Sequence, residues 1–241
     1  MTNDVFSRYE TKYLLDDETY IHIRSKLHSH MVLDQYNVSG KAYTISNIYY
    51  DTPDDYFIRT SLQKPKYKEK LRLRAYGVPT LQSQVFLEVK KKVCGLVNKR
   101  RSVLRLEEAY EFLNSKLCPM PYGDMNPLIL KELTYIIQRY PLEPNLYLAY
   151  DRIAYFDNQN GSLRISFDAN IRTRREDLRL ELGDQGKLLL QPSIWLMEIK
   201  TPGAVPIWLC SLLSKYEIRA TSFSKYGTEY QRHLAKQMRK E

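Results

Sequence analysis

The chain is 241 residues long, 43% hydrophobic and 27% charged, with a formal net charge of +9. That is enough apolar material for one large core, and it excludes a disordered or fibrous chain. The charge favours polyanionic partners, while the 28 acidic residues exclude a simple basic tail. No Walker loop and no G-x-G-x-x-G occurs, so the two commonest nucleotide-binding devices are missing. Three scattered cysteines, Cys94, Cys118 and Cys210, suit reduced thiols and a cytoplasmic location. No apolar run is long enough to span a bilayer and the N-terminus has no signal-peptide core, so a soluble chain is expected.

In chain order, residues 5–13 read as a short strand with Arg8, Glu10 and Lys12 on one face. Asp16 or Asp17 caps a helix running to about His28, with Tyr20, Ile23 and Leu27 on its apolar side. Ser46 to Tyr50 is strand-like and Asp51-Thr-Pro-Asp54 breaks it. Lys68 to Tyr76 alternates, placing Lys70, Arg72 and Arg74 opposite Leu71 and Leu73. Strands at 84–92 and Lys99–Arg105 follow. Glu107–Leu117 and Asn126–Tyr140 read as helices, stopped by Pro141 and Pro144. Asn145–Phe156 and Ser162–Asn170 are strands around a turn at Asn158-Gln-Asn-Gly161, a hairpin signal. Leu178–Leu182 is a further strand and Trp195–Lys200 the clearest late one. Pro206–Tyr216 is helical, and Ser224–Tyr230 leads into a final basic helix. No linker divides the chain, so one domain over residues 1–241 is expected, of α+β class.

Three strands repeat one device: Glu10-x-Lys12, Glu88-x-Lys90 and Glu198-x-Lys200. Side chains two apart share a strand face, roughly 6–7 Å from one another. Each strand therefore has a charged face and an aliphatic one. A wet outer face explains any single such strand. Taken together, the strands at 8–12, 70–74, 86–90, 99–105, 164–168 and 198–200 predict a curled antiparallel barrel, aliphatics outward under helices and charges in the lumen. Clustered Arg and Lys need anions to neutralise them, and phosphate oxygens match their forks and point charges. Glutamates among those bases point to a hard divalent cation, Mn²⁺ or Mg²⁺, completed by substrate phosphates and water.

The motifs Arg8-x-Glu10-x-Lys12-Tyr13, Tyr50-Asp51-Thr52, Arg72-x-Arg74, Glu88-x-Lys90, Lys99-Arg100-Arg101, Asp151-Arg152, Arg164-x-Ser-x-Asp168, Glu198-x-Lys200 and Ser224-Lys225-Tyr226 occur in this order. With them the sequence resembles the triphosphate tunnel metalloenzymes (CYTH-like), and among these the polyphosphate polymerase domain of the vacuolar transporter chaperone (VTC) type. The resemblance implies a β-barrel tunnel with helices packed outside. It implies that Lys12, Arg72, Arg74, Lys90, Arg152, Arg164 and Lys200 are catalytic bases on the phosphates, joined by Arg8, Lys99 and Lys225 in substrate binding. Glu198 is the principal metal ligand it implies, with Glu10 and Glu88 as helpers. Asp168 reads as a partner for an arginine.

The activity implied is transfer of the terminal phosphoryl group of ATP, or another nucleoside triphosphate, to inorganic polyphosphate, with no nucleic acid partner. A membrane partner is compatible with this, although the chain has no span of its own. Arg8 stands where hydrolases and cyclases of this superfamily usually carry a first glutamate, which favours the polymerase branch. A tunnel-fold tripolyphosphatase or nucleoside triphosphatase and a non-enzymatic polyphosphate or inositol-phosphate binding module are the alternatives. His28-x-His30 lacks the further ligands of a zinc site, and Cys94 has no activating base near it in sequence. Most of the twenty tyrosines are expected in packing roles.

Overall fold

A computed structural model describes residues 9–63, 65–94, 96–123, 125–158 and 162–239. Its frame is one antiparallel sheet. Eight strands follow one another by hydrogen bonding: β1 (Tyr9–Asp16), β10 (Ile194–Thr201), β8 (Arg164–Arg174), β7 (Glu143–Asp157), β3 (Tyr43–Asp51), β4 (Tyr67–Tyr76), β5 (Gln84–Val93) and β6 (Leu96–Arg105). Two short strands lie off this path, β2 (Met31–Leu33) on β7 and β9 (Lys187–Leu188) on β8. The helices are α1 (Asp17–Leu27), α2 (Tyr56–Leu62), α3 (Leu106–Ser115), α4 (Pro127–Arg139), α5 (Ile207–Lys215) and α6 (Lys225–Gln237).

Alternation decides which way each strand faces. Leu71, Leu73, Leu87, Val89 and Leu104 are buried outward beneath Phe112 of α3 and Leu130, Leu133 and Ile137 of α4. Ile165, Phe167, Met197 and Ile199 pack outward against Ile23 and Leu27 of α1 and Leu209 of α5. The polar residues between them turn to the concave side. Arg100, out of phase with Lys99, instead bonds Glu132 of α4 at 2.9 Å on the outside.

The sheet curls without closing its backbone ladder. The end strands of the order, β1 and β6, do not pair with each other. The gap is spanned by side chains, Lys90 Nζ of β5 lying 3.4 Å from Glu10 Oε2 of β1. The free edge of β1 is covered by the segment before α6, where Thr221 N–H donates to the Lys12 carbonyl at 2.8 Å, so no bare edge is offered to another chain there.

Helices α2 and α6 sit differently from the other four. Their Ile58, Tyr226 and Tyr230 pack with Tyr49, Leu146, Leu148 and Tyr150, which belong to the inner face of the sheet. Gly227 lets the two helices approach: a Cβ there would meet Leu62 Cδ2 at 3.0 Å. Asp51 ties both down. It accepts from the N–H groups of Phe57 (2.7 Å) and Ile58 (3.0 Å) at the start of α2 and from the Tyr226 hydroxyl (3.0 Å) of α6. The Asp51-Thr-Pro-Asp54 breaker is thus the anchor of a helix that periodicity did not reveal.

One sequence expectation needs revision. Leu178–Leu182 is not a strand; Leu180 is buried, and its N–H bonds the Tyr110 hydroxyl at 2.8 Å instead of a ladder partner. Its alternating leucines mark a loop pinned on α3. Strand β1 is described from Tyr9, so residues 5–8, including Arg8, lie outside the described residues, as do residues 159–161 of the expected hairpin turn. Strands β7 and β8 do pair antiparallel.

Candidate functional site

The concave face gathers its charges into two linked clusters. The first surrounds Glu88, only 1% exposed at the centre of β5. Arg72 Nε donates to its Oε2 at 2.7 Å, Lys99 Nζ lies 2.5 Å from its Oε1, and Arg74 Nε is 3.8 Å from Oε2. Burial alone pushes a carboxyl pKa up. Here Arg74, Lys99 and Arg72 outweigh it and hold Glu88 well below the usual range. Register explains the convergence, because Arg72 stands directly opposite Glu88 across the β4–β5 ladder, with Arg101 opposite on β6.

The second cluster surrounds Glu198 and Asp168. Arg152 grips Asp168 with two bonds, Nε at 2.6 Å and Nη2 at 2.7 Å. Lys225, the first residue of α6, reaches Asp168 Oδ2 at 2.6 Å and Glu198 Oε1 at 3.1 Å. Glu198 also meets Lys200 at 2.7 Å, Lys12 at 3.7 Å and Arg152 at 3.8 Å. Burial opposes its ionisation, but Lys200, Lys225, Lys12 and Arg152 keep its pKa well below normal. Glu10 stands beside it, 3.4 Å from Lys12 and 4.0 Å from Lys200.

Two bridges join the clusters. One is the Lys90–Glu10 contact; the other is Tyr150, whose hydroxyl accepts from Arg74 Nη2 at 3.2 Å while Arg152 and Lys225 lie over its ring at 5.0 and 4.6 Å. Burial is outweighed by Arg152 and Arg74, so the Tyr150 phenol sits below its usual pKa. Of the residues picked from sequence, Lys12, Arg72, Arg74, Lys90, Lys99, Arg152, Lys200, Lys225, Glu10, Glu88 and Glu198 are therefore brought together. Arg164 lies toward one margin, its Nη2 3.2 Å from Asp34. Asp151 faces away from Arg152 and accepts from Thr44 at 2.9 Å and Arg172 at 3.1 Å.

Sequence reading passed over two lumen tyrosines and put Lys70 on the charged face without giving it a role. Tyr150 and Tyr49 share the faces of Arg152 and Asn47; the Arg72 Nη1 bond to the Tyr49 hydroxyl is 3.3 Å. The signal was Tyr150-x-Arg152, hidden among tyrosines assigned to packing. Lys70 completes the Lys70-x-Arg72-x-Arg74 row, and its ammonium lies 5.5 Å from the Tyr226 ring. The histidines serve elsewhere, His30 stacking on Trp208 at 4.2 Å and His28 lying edge-on to Tyr155. All three cysteines are free and exposed.

The carboxylates differ in what they could offer a divalent cation. Among the described residues no three His, Cys, Asp or Glu side chains are arranged to hold a metal. Both oxygens of Glu88 and of Asp168 are engaged by cations. Glu10 and Glu198 share Lys12 and Lys200, and Ser166 Oγ, fully buried in register with Glu198 on β8, has no protein partner. An unpaired buried hydroxyl costs about 1–3 kcal/mol, a cost that a water or phosphate oxygen beside Glu198 would remove. The residues present fit a metal with one or two protein carboxylates, its other ligands being phosphate and water.

A curled antiparallel sheet with a basic concave face, four helices outside and carboxylates of β1, β5, β8 and β10 on that face has the triphosphate tunnel fold. The same fold occurs in a candidate adenylate cyclase from Bacillus halodurans, with a TM-score of 0.52 and 16% identity over 91% of this chain and 96% of that one. It occurs again in a candidate adenylate cyclase from Vibrio parahaemolyticus, with a TM-score of 0.52 and 12% identity over 93% and 98% of the two chains. A third is a candidate adenylyl cyclase from Hippeastrum described as having a dominant triphosphatase activity, with a TM-score of 0.51 and 14% identity over 92% and 93%. Within this class the chain belongs to the VTC domain family, which it matches over residues 7–234. No curated protein matches it in sequence.

Proposed function

We propose that this protein is a metal-dependent polyphosphate polymerase, moving the terminal phosphoryl group of ATP or another nucleoside triphosphate onto a growing inorganic polyphosphate chain. Membership of the VTC domain family supports a role with polyphosphate. The single observation that carries the reading is the linkage of the two clusters through Lys90 and Tyr150. A donor triphosphate and an acceptor chain end are both strongly anionic, and a continuous bed of cations lets the two lie together.

Each base has a defined task in this reading. Arg72, Arg74 and Lys99 hold phosphate oxygens on one side; Lys12, Lys200, Arg152 and Lys225 do so on the other, with Lys90 between. Arriving phosphates take over cations now balanced by Glu10, Glu88, Glu198 and Asp168, so the lumen is preorganised and needs little rearrangement at the moment of transfer. Glu198, with Glu10, would hold a Mn²⁺ or Mg²⁺ ion, which supplies charge neutralisation between phosphates. Glu88 braces Arg72, Arg74 and Lys99.

Hydrolysis of a triphosphate on the same bases is the second reading, because the fold by itself does not choose the acceptor. Incubation with ATP and Mn²⁺ separates them. Gel-resolved chains accompanied by ADP are expected; orthophosphate as the sole phosphate product would overturn the polymerase reading.

A further inference from the structure

One mouth of the curled sheet is framed by rings. Beyond Arg74 the inner face of β4 ends in Tyr76, and the residue opposite Arg74 on β5 is Phe86. Tyr76 meets Phe86 edge-on at 5.7 Å and stacks on Tyr36 at 4.9 Å, with ring planes 10° apart. Tyr43 of β3 lies 5.6 Å from Tyr36 and 5.9 Å from Tyr76. Arginines flank this arc: Arg101 of β6 lies over Phe86 at 4.6 Å, and Arg164 of β8 lies over Phe156 at 4.9 Å.

Tyr36 is carried by the connection from β2 to β3, which is clamped to β7. Asp34 N–H donates to the Ala154 carbonyl at 2.8 Å; Asn37 accepts from Ala154 N–H at 2.9 Å and donates to the Arg152 carbonyl at 3.0 Å. A ring held this firmly would be buried if its task were to plug the barrel. Tyr147, Tyr155, Phe112 and Phe167 of the cores are fully buried, whereas Tyr36 is 47% exposed. Tyr76 covers one face of Tyr36, so that exposure falls on the other face and the edge. Tyr76 and Phe86 are themselves only half-buried. Aromatic surface left in water on a rigid frame suits a flat partner, which would cover it at little cost in ordering.

The position of the rings says what that partner is. Arg74 belongs to the bases assigned above to phosphate oxygens; Phe86 faces it across the ladder, and Tyr76 lies two residues further along the same face, roughly 6–7 Å on. A ligand with its phosphates on Arg72 and Arg74 presents its other end to the rings. We propose that Tyr36, Tyr76 and Phe86 form a stacking platform for the nucleobase of a nucleoside triphosphate, so that the base as well as the phosphates selects the donor. The inference rests on the proposed use of a nucleoside triphosphate. Asp34, the carboxylate of the clamp, is already engaged at both oxygens, Oδ1 by Tyr36 N–H at 3.2 Å and Oδ2 by the Tyr43 hydroxyl at 3.3 Å and Arg164 Nη2 at 3.2 Å. Recognition is therefore by ring area, which favours purines over pyrimidines without separating adenine from guanine.

Binding without turnover tests this. Calorimetry at fixed salt in EDTA compares the β,γ-imido analogues of ATP and UTP with tripolyphosphate for the wild type, Tyr36→Ala and Tyr36→Trp. The ATP analogue is expected to bind several-fold more tightly than the UTP analogue. Tyr36→Ala is expected to weaken the ATP analogue roughly tenfold, as for the loss of one base–aromatic stack, and tripolyphosphate by less than about twofold. Tyr36→Trp is expected to restore the ATP analogue. Etheno-ATP, whose emission is quenched by stacking, gives a second readout, with quenching expected on the wild type and lost on Tyr36→Ala. Equal weakening of tripolyphosphate and the ATP analogue in Tyr36→Ala would show Tyr36 acting through the fold and would overturn the platform. So would an ATP analogue insensitive to both Tyr36→Ala and Phe86→Leu. Equal affinity for the purine and pyrimidine analogues would overturn recognition by ring area. Chains formed from ATP by a protein whose binding ignores the base would defeat this inference alone; base stacking without chain formation would defeat the polymerase reading alone.

Discussion

At the scale of single residues, three Glu-x-Lys pairs with one sequence signature acquire three different environments. Glu88 is enclosed by Arg72, Arg74 and Lys99; Glu198 is shared among four bases from β1, β7, β10 and α6; Glu10 spans the open seam of the sheet. Isosteric neutralisation should separate them. Glu198→Gln is expected to abolish chain synthesis while retaining tripolyphosphate binding, because the bases remain and the proposed metal ligand does not. Glu88→Gln leaves the buried Arg74 and the half-buried Arg72 and Lys99 short of a counter-ion. Breaking a buried pair from one side costs about 3–5 kcal/mol, so its main effect should be a lower melting temperature that tripolyphosphate largely restores. Paired thermal melts and product gels read both outcomes. Equal loss of synthesis with no loss of stability in Glu88→Gln would remove the distinction.

At the scale of elements, α2 and α6 depend on one side chain. Asp51 takes two N–H groups of α2, the Thr52 N–H at 2.9 Å and the Tyr226 hydroxyl. Asp51→Ala is expected to lower stability by about 2 kcal/mol or more, above an ordinary cap loss because the partners are buried. Urea unfolding measures the loss, and hydrogen exchange should show it concentrated in α2 and the start of α6. Since Lys225 enters the site from α6, anion affinity should fall with it. Protection unchanged in both helices would show that other contacts hold them. The strands were legible in the sequence because alternation in β4, β5, β8 and β10 is strict. Helix α2 was not, being seven residues long and stabilised by Asp51 and by α6, neither of which a local pattern encodes. Leu178–Leu182 misled for the converse reason: alternation was present, and tertiary contact with Tyr110 used it in a loop.

For the whole molecule, the concave face is charged before any ligand arrives, and this sets a dependence on pH. Burial, with Lys90, Lys12 and Lys68 nearby, lowers the Lys70 pKa to about 7, against a small opposing pull from Asp51; Tyr226 adds only its ring face. The unfolded chain keeps the ordinary lysine value, so between the two the unfolded state binds more protons and stability rises with pH. Without ligand, the melting temperature should climb from about pH 7 toward roughly pH 9. Tripolyphosphate should flatten that climb by favouring the charged lysine, and Lys70→Met should remove its share. Burial also lowers Lys99 to about 7 and Lys200 to about 8, so the difference between the wild-type and Lys70→Met profiles reads the Lys70 share, and identical slopes would show that Lys70 is already neutralised.

Sequence by itself determined the strands, the faces of the bases and the chemistry they imply, because a period of two assigns side chains to faces without knowing what the faces meet. It could not determine which carboxylate meets which cation. That depends on register between strands distant in the chain, on the curl that brings β1 to β5, and on α6 placing Lys225 between Asp168 and Glu198. Nor could it single out Lys70 from the other lysines, since having no carboxylate within reach is a property of the assembled sheet. Local periodicity chose the charges; long-range packing decided how each was balanced.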